Sequence, residues 1–186
     1  MSRAGHTWIA LLRGINVGGH RKVPMAELRE LCARLRFEEV ATYIQSGNVV
    51  FRAAQAKAAE VEATLARAIA RRFDFDVSVM VRDVPELDAV VAGNPFLAEG
   101  VDDTSRLHVS FLGAEPPAAV AEEYRRLRLG GDELRLVGRE AYLHVPGGMG
   151  KSKLTPTFLE RALGTPGTAR NWRTVNTLLE MGRGLL

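Results

Sequence analysis

Apolar positions recur along the chain in two rhythms, a short-run or alternating one and a helical one. TWIALLRG is a buried run that predicts a strand, and in PMAELRELCARLRF the residues Leu28, Leu31, Cys32 and Leu35 return at helical spacing behind Pro24 at the first helical position. EEVATYIQ predicts a second strand, SGN a turn and VVFRA a third strand. The Ala-rich AAEVEATLARAIARRF predicts a long helix, and DVSVMVRD a fourth strand ending near Arg82. The order is βαββαβ, the ferredoxin-like supersecondary arrangement.

A short helix, VPELDAVVAG, and the breaker pair Asn94 and Pro95 lead into a second pass. RLHVSFLG predicts a strand, PPAAVAEEYRRL a helix, DELRLVG and EAYLHVP a hairpin around Gly138 and Arg139, and TPTFLERALG a helix opened by Thr155 and Pro156. TARNWRTVNTLLEM predicts a last helix with Trp172, Val175, Leu178 and Leu179 on one face. The expected fold class is therefore α+β: two ferredoxin-like βαββα(β) repeats packed into one body, residues 1–82 and 83–186, with an extra C-terminal helix in the second.

At 186 residues and 46% apolar, the chain can bury one large core or two small ones. No apolar run approaches the roughly 18 residues of a membrane span, and MSRAGHTWIALLRGIN lacks the apolar region and cleavage signal of a secretory leader, so a cytoplasmic protein without a membrane partner is expected. Cys32 is the single cysteine and falls on the apolar helix face, which excludes a disulfide or a Cys-based metal site within the chain. The net charge of +3 is unevenly placed: residues 141–186 hold six Lys or Arg against two Glu. Three loop-rich segments, Leu11 to Ala26, Ala41 to Ala59 and Leu163 to Leu179, contain no carboxylate yet carry Arg13, Arg21, Lys22, Arg52, Lys57, Arg170 and Arg173. Solvated faces ordinarily mix both signs, so this distribution favours an anionic partner.

Four stretches could supply such a site. In RGINVGGHRKV, Gly18 and Gly19 permit positive φ and close backbone approach, and Arg13, Asn16 and Lys22 together exceed what a tight connection needs, although a plain turn would also use the glycines. The spacing is not GxGxxG, so no dinucleotide fingerprint is present. TYIQSGN reads as a hairpin turn. In a ferredoxin-like unit the first two strands run parallel, which places Tyr43, Gln45, Ser46 and Asn48 at the same end as Arg13 and Asn16. PGGMGKSK fails the Walker spacing and leaves a Gly-rich loop with Lys151, Ser152 and Lys153, which could also be a solvated surface loop. In TPGTARNW, Thr168 is the expected helix cap, with Arg170 and Asn171 in a first turn that favours anions. The four histidines show no metal spacing. His20 is the loop histidine nearest a candidate site.

LLRGINVGGHRKVPMAELRELCARLRFEEVATYIQSGNVVF and SKLTPTFLERALGTPGTARNWRTVNTLLE together resemble the bacterial DUF1697 family, a domain of unknown function. The resemblance implies that Arg13 to Gly19, Tyr43 to Asn48 and Arg170 to Trp172 are the family's motif residues. Arg36 stands where a glycine commonly precedes Phe37, and Thr177 where a lysine commonly precedes Leu178. No activity or cofactor is implied. The function expected is binding of a phosphate-bearing ligand, a nucleotide or nucleic-acid segment, in a basic cleft between the repeats. Two alternatives stay open: an enzyme acting on a small phosphorylated or carboxylated substrate, with Arg13, Lys151 or Arg170 holding the anion and His20 or a lysine moving protons; and a structural, protein-contact module.

Overall fold

The run His6–Leu12 forms strand β1, buried from Thr7 to Leu12, and takes the centre of a four-stranded sheet because both of its faces are apolar. The structure is a computed structural model that describes residues 5–186; the leader reading above includes four residues outside that range. Helix α1 (Met25–Arg34), strands β2 (Glu38–Tyr43) and β3 (Asn48–Ala53), helix α2 (Ala58–Phe73) and strand β4 (Val79–Asp83) follow. The sheet order is β2-β3-β1-β4, with every neighbouring pair antiparallel. It follows that β1 and β2 run parallel with β3 between them.

Alternate β1 residues Trp8, Ala10 and Leu12 meet Leu28 and Cys32 of α1 and Val61, Leu65 and Ile69 of α2 in one core. Removing each large aliphatic side chain there from water stabilises the fold by roughly 1.5–3 kcal/mol. Cys32 is fully buried, and burial pushes its thiol pKa up to about 12. A thiol reagent at pH 8 is thus expected to label Cys32 promptly in denaturant and only on the unfolding timescale in the native protein; rapid native labelling would contradict the core position.

The chain then forms α3 (Val84–Ala92), α4 (Pro95–Ala98), β5 (Leu107–Leu112), α5 (Ala118–Glu123), β6 (Arg126–Leu129), β7 (Asp132–Val137), β8 (Glu140–His144), α6 (Pro156–Leu163), β9 (Gly167–Asn171) and α7 (Trp172–Arg183). Contacts divide the chain into two compact units: residues up to Asp88 together with Thr177–Leu186, and Ala89–Asn176. In the first, Gly182 of α7 lies over the second face of β1, where an added Cβ would stand 3.3 Å from Ile9 Cδ1.

The second unit holds an antiparallel five-stranded sheet ordered β6-β7-β8-β5-β9. Two of its strands differ from expectation. The helix predicted to run through Leu127 stops at Glu123, and Arg126–Leu129 pairs with Asp132–Val137 instead. The reason is the Gly130-Gly131 turn, with φ +61° and +94°, which matches a two-residue hairpin loop and exposes the period-two pattern of RLRL. Likewise Gly167–Asn171 adds to β5 as an edge strand before α7 begins, so the second unit carries two strands, β6 and β9, beyond those read from the sequence. The structure supports a mixed α/β fold with two antiparallel sheets. No helix among the described residues is long and apolar enough to cross a membrane.

Candidate functional site

Parallel β1 and β2 deliver their C-terminal ends to one end of the first sheet, and backbone hydrogen bonds there tie the end of β1 to the β2–β3 turn and to the segment before β4. Leu12 N donates to Gly47 O at 2.9 Å, and Arg13 N to Ser78 O at 3.0 Å. Beyond Arg13 the chain makes a small hairpin: Asn16 N donates to Arg21 O, His20 N to Val17 O, and Val17 bridges His20. Gly18 and Gly19, at φ +59° and +78°, form its two-residue turn.

Asn16 fastens this tip to the body. Its Nδ2 donates to Val23 O at 2.9 Å and Gln45 O at 2.7 Å, while its Oδ1 accepts from Val23 N at 2.8 Å. Asn16 itself sits at φ +54°, a left-handed conformation that asparagine tolerates better than most residues. In the facing turn Asn48 is fully buried and its Nδ2 donates to Tyr43 O and Ser46 Oγ. Gly47, at φ +78°, leaves room for Leu12 and Ile15 beneath it.

The structure therefore brings Arg13, Asn16, Gly18, Gly19, Lys22, Tyr43, Gln45, Ser46 and Asn48 to one end of the sheet. It also divides their work. The amides of Asn16 and Asn48 are occupied in building the loops, and Gln45 and Tyr43 contribute carbonyls to the same links. Val17 through Lys22 are exposed, Arg13 is half-buried, and an added Cβ at Gly14 or Gly19 would meet nothing within 4 Å. The guanidinium of Arg21 lies 5.7 Å from the centre of the Phe75 ring, which restrains it near the tip. Arg21 was legible in the sequence only as one of several loop cations; its place beside the turn needed the hairpin.

In the second unit the candidate residues are less open to a ligand. Ser152 Oγ donates to Asp132 Oδ2 at 2.8 Å and accepts from Leu154 N, and Lys153 N donates to the same carboxylate oxygen. The Gly-rich loop is thus clasped by a buried carboxylate that is distant in sequence, while Lys151 is exposed on a 3-10 turn at Met149–Lys151.

Arg170 does not lie in a helix first turn. It is on β9, 8% exposed, with Nη1 donating to Thr168 Oγ1 at 2.7 Å and Ala169 O at 2.9 Å, and burial pushes its pKa down to about 10. The cap expected at Thr168 is supplied by Asn171, whose Oδ1 accepts from Thr174 N at 2.8 Å. Ala169 borders a small cavity with Met149 and Leu154, and strand alternation turns Arg170 to the opposite face, so Arg170 and the Gly-rich loop do not converge.

Among the described residues no group of three His, Cys, Asp or Glu is placed to hold a metal ion. The first unit's loop end can instead present exposed cations and open backbone around a rigidly tied turn.

Comparison with known proteins places this site in a family without assigning it a role. No curated protein matches the chain. A solved structure of a conserved bacterial protein from Streptococcus pneumoniae is similar, with 25% identity, 97% of this chain and 99% of that chain covered, and a TM-score of 0.78. A family model described as "Protein of unknown function (DUF1697)" matches residues 6–142, a span that includes both loops of the first unit and stops before Lys151 and Arg170. The chain belongs to the DUF1697 family.

Proposed function

We propose that this protein binds a phosphate-bearing ligand, a nucleic-acid segment in preference to a free nucleotide, through the loop end of its first unit. The observation that carries this is the tip itself: a two-glycine turn pinned by three Asn16 hydrogen bonds, whose residues Val17 to Lys22 are all exposed and include Arg21 and Lys22. The tip's own segment, Leu11 to Ala26, contains no carboxylate, and Arg21 and Lys22 stand exposed on it, with Arg21 against the Phe75 ring between Asp74 and Asp76. A projecting turn contacts a polymer backbone more readily than it encloses a small molecule, which is the reason for preferring the nucleic acid. Two interleaved crossovers, β1–α1–β2 and β3–α2–β4, support a ferredoxin-like arrangement for the first unit and account for the shared loop end.

The test is binding of fluorescent oligonucleotides across a salt series. Phosphate contacts release counterions, so affinity should fall steeply with salt, and Arg21→Ala and Lys22→Ala should each weaken binding and flatten the log–log slope by roughly one contact. Binding that is absent, or that neither substitution alters, would refute this role for the tip.

A further inference from the structure

Of the five large apolar side chains exposed among the described residues, two lie at this loop end: Val17 on the hairpin tip, 67% exposed, and Ile44 in the facing β2–β3 turn, 51% exposed. Their sequence neighbours Asn16 and Gln45 are joined by the 2.7 Å hydrogen bond from Asn16 Nδ2 to Gln45 O, so both belong to one tied assembly. Ile44 is held at φ +50°, a left-handed conformation that a β-branched residue adopts only against steric resistance. Asparagine or glycine would build the same turn without that cost. The fold thus maintains an aliphatic group in water and in a disfavoured conformation, at the same loop end as exposed Arg21 and Lys22.

We propose that Val17 and Ile44 form an aliphatic wedge that presses against a base step of double-stranded nucleic acid while Arg21 and Lys22 hold the flanking phosphates. The proposal rests on the phosphate-binding role above and adds the mode of contact. Charge selects the partner: the wedge is set among cations in segments without carboxylates, so the complementary surface is an anionic polymer with apolar planes between its charges. Aliphatic side chains suit insertion at a partly unstacked step, whereas single strands are usually held by aromatic stacking.

The experiment uses the full chain with Val17→Ser, Ile44→Asn and, as a control on the other unit, Val137→Ser. Anisotropy titrations compare duplex DNA, duplex RNA and single strands of one sequence, with 2-aminopurine at a central step and with polyphosphate and polyglutamate as base-free polyanions. Val17→Ser and Ile44→Asn are each expected to weaken duplex binding roughly fivefold, to remove the 2-aminopurine signal of unstacking, and to leave polyphosphate competition unchanged. Ile44→Asn should at the same time raise Tm by about 2–4 °C, because the strain is relieved. The control should bind like the parent, and whichever duplex responds identifies the source of the base step. Unchanged duplex affinity in both variants, with salt dependence intact, would overturn the wedge and leave the phosphate-binding role standing. Equal losses against polyphosphate, or tighter binding to single strands, would also overturn it. Preference for polyglutamate over every nucleic acid, or no binding to any of them, would overturn both.

Discussion

Gly47→Ala is expected to destabilise the first unit by about 3 kcal/mol, the largest effect of any single methyl group at the site. Two causes add. The residue sits at φ +78°, and its new Cβ would stand 2.7 Å from Leu12 Cβ and 2.8 Å from Ile15 Cδ1. Ile15 Cδ1 can rotate away, but Leu12 Cβ is fixed to the central strand, so the turn must move. That movement would break the Leu12 N to Gly47 O hydrogen bond and loosen the seat of the tip. Gly19→Ala separates the causes, because Gly19 has the same φ of +78° with nothing within 4 Å of an added Cβ. Its cost should be only the conformational one, about 1 kcal/mol. Urea unfolding of both variants measures the difference, and equal losses would show that the close approach at Gly47 relaxes without cost.

The second large effect is expected in the other unit, at Arg135. Its side chain is 8% exposed, and the guanidinium lies 4.8 Å from the centre of the Phe96 ring and donates to Glu99 through Nε and Nη2 and to Glu133 through Nη2. Arg135→Met keeps the aliphatic packing and deletes these charge-assisted bonds. A loss of about 2 kcal/mol is expected rather than more, because both carboxylates are partly solvated and keep Arg126 and Arg128 as partners.

The pH dependence carries a sign. Hydrogen bonding from Arg135 holds the Glu99 carboxyl below its ordinary value; at Glu133 burial acts upward but is outweighed by the hydrogen bond from Arg135 and nearby cations, so its pKa is also lowered. A carboxyl lowered in the folded state contributes stability above its unfolded pKa and loses it as pH falls through the folded value. The parent should therefore lose stability more steeply than Arg135→Met from about pH 4.5 downward. Parallel profiles would mean that Arg135 does not set these titrations.

Part of the candidate site is legible in the sequence alone. Hydrophobic spacing gave the order of elements in the first unit, and that order alone put RGINVGG and YIQSGN at one end of a sheet. Which side chains remain for a ligand was not legible, because Asn16 and Asn48 look identical as motif residues whether they bind or build. Their partners are carbonyls of Val23, Gln45 and Tyr43, chosen by loop closure. The hydrogen bond from Ser152 was hidden for a related reason: its partner Asp132 comes from a strand twenty residues earlier and is brought to the loop only by the fold. Two signals in the second unit were present but outweighed. RLRL-GG-DELRLV alternates about a turn pair, yet RRL also continues a helical period. TARN precedes a helix, yet its register against β5 carries Arg170 into the interior.

By itself the sequence determined the α+β class, the apolar faces of the helices, the buried state of Cys32 and the positive character of the first loop, since each follows from local periodicity or composition. Only the tertiary structure decided that Gly18 and Gly19 make an exposed turn, that Arg170 is buried on a strand, and that Val17 and Ile44 stand exposed at one loop end. Those outcomes depend on strand pairing and on which carbonyls lie within reach of an amide, and both are set by distant residues brought together by the sheets.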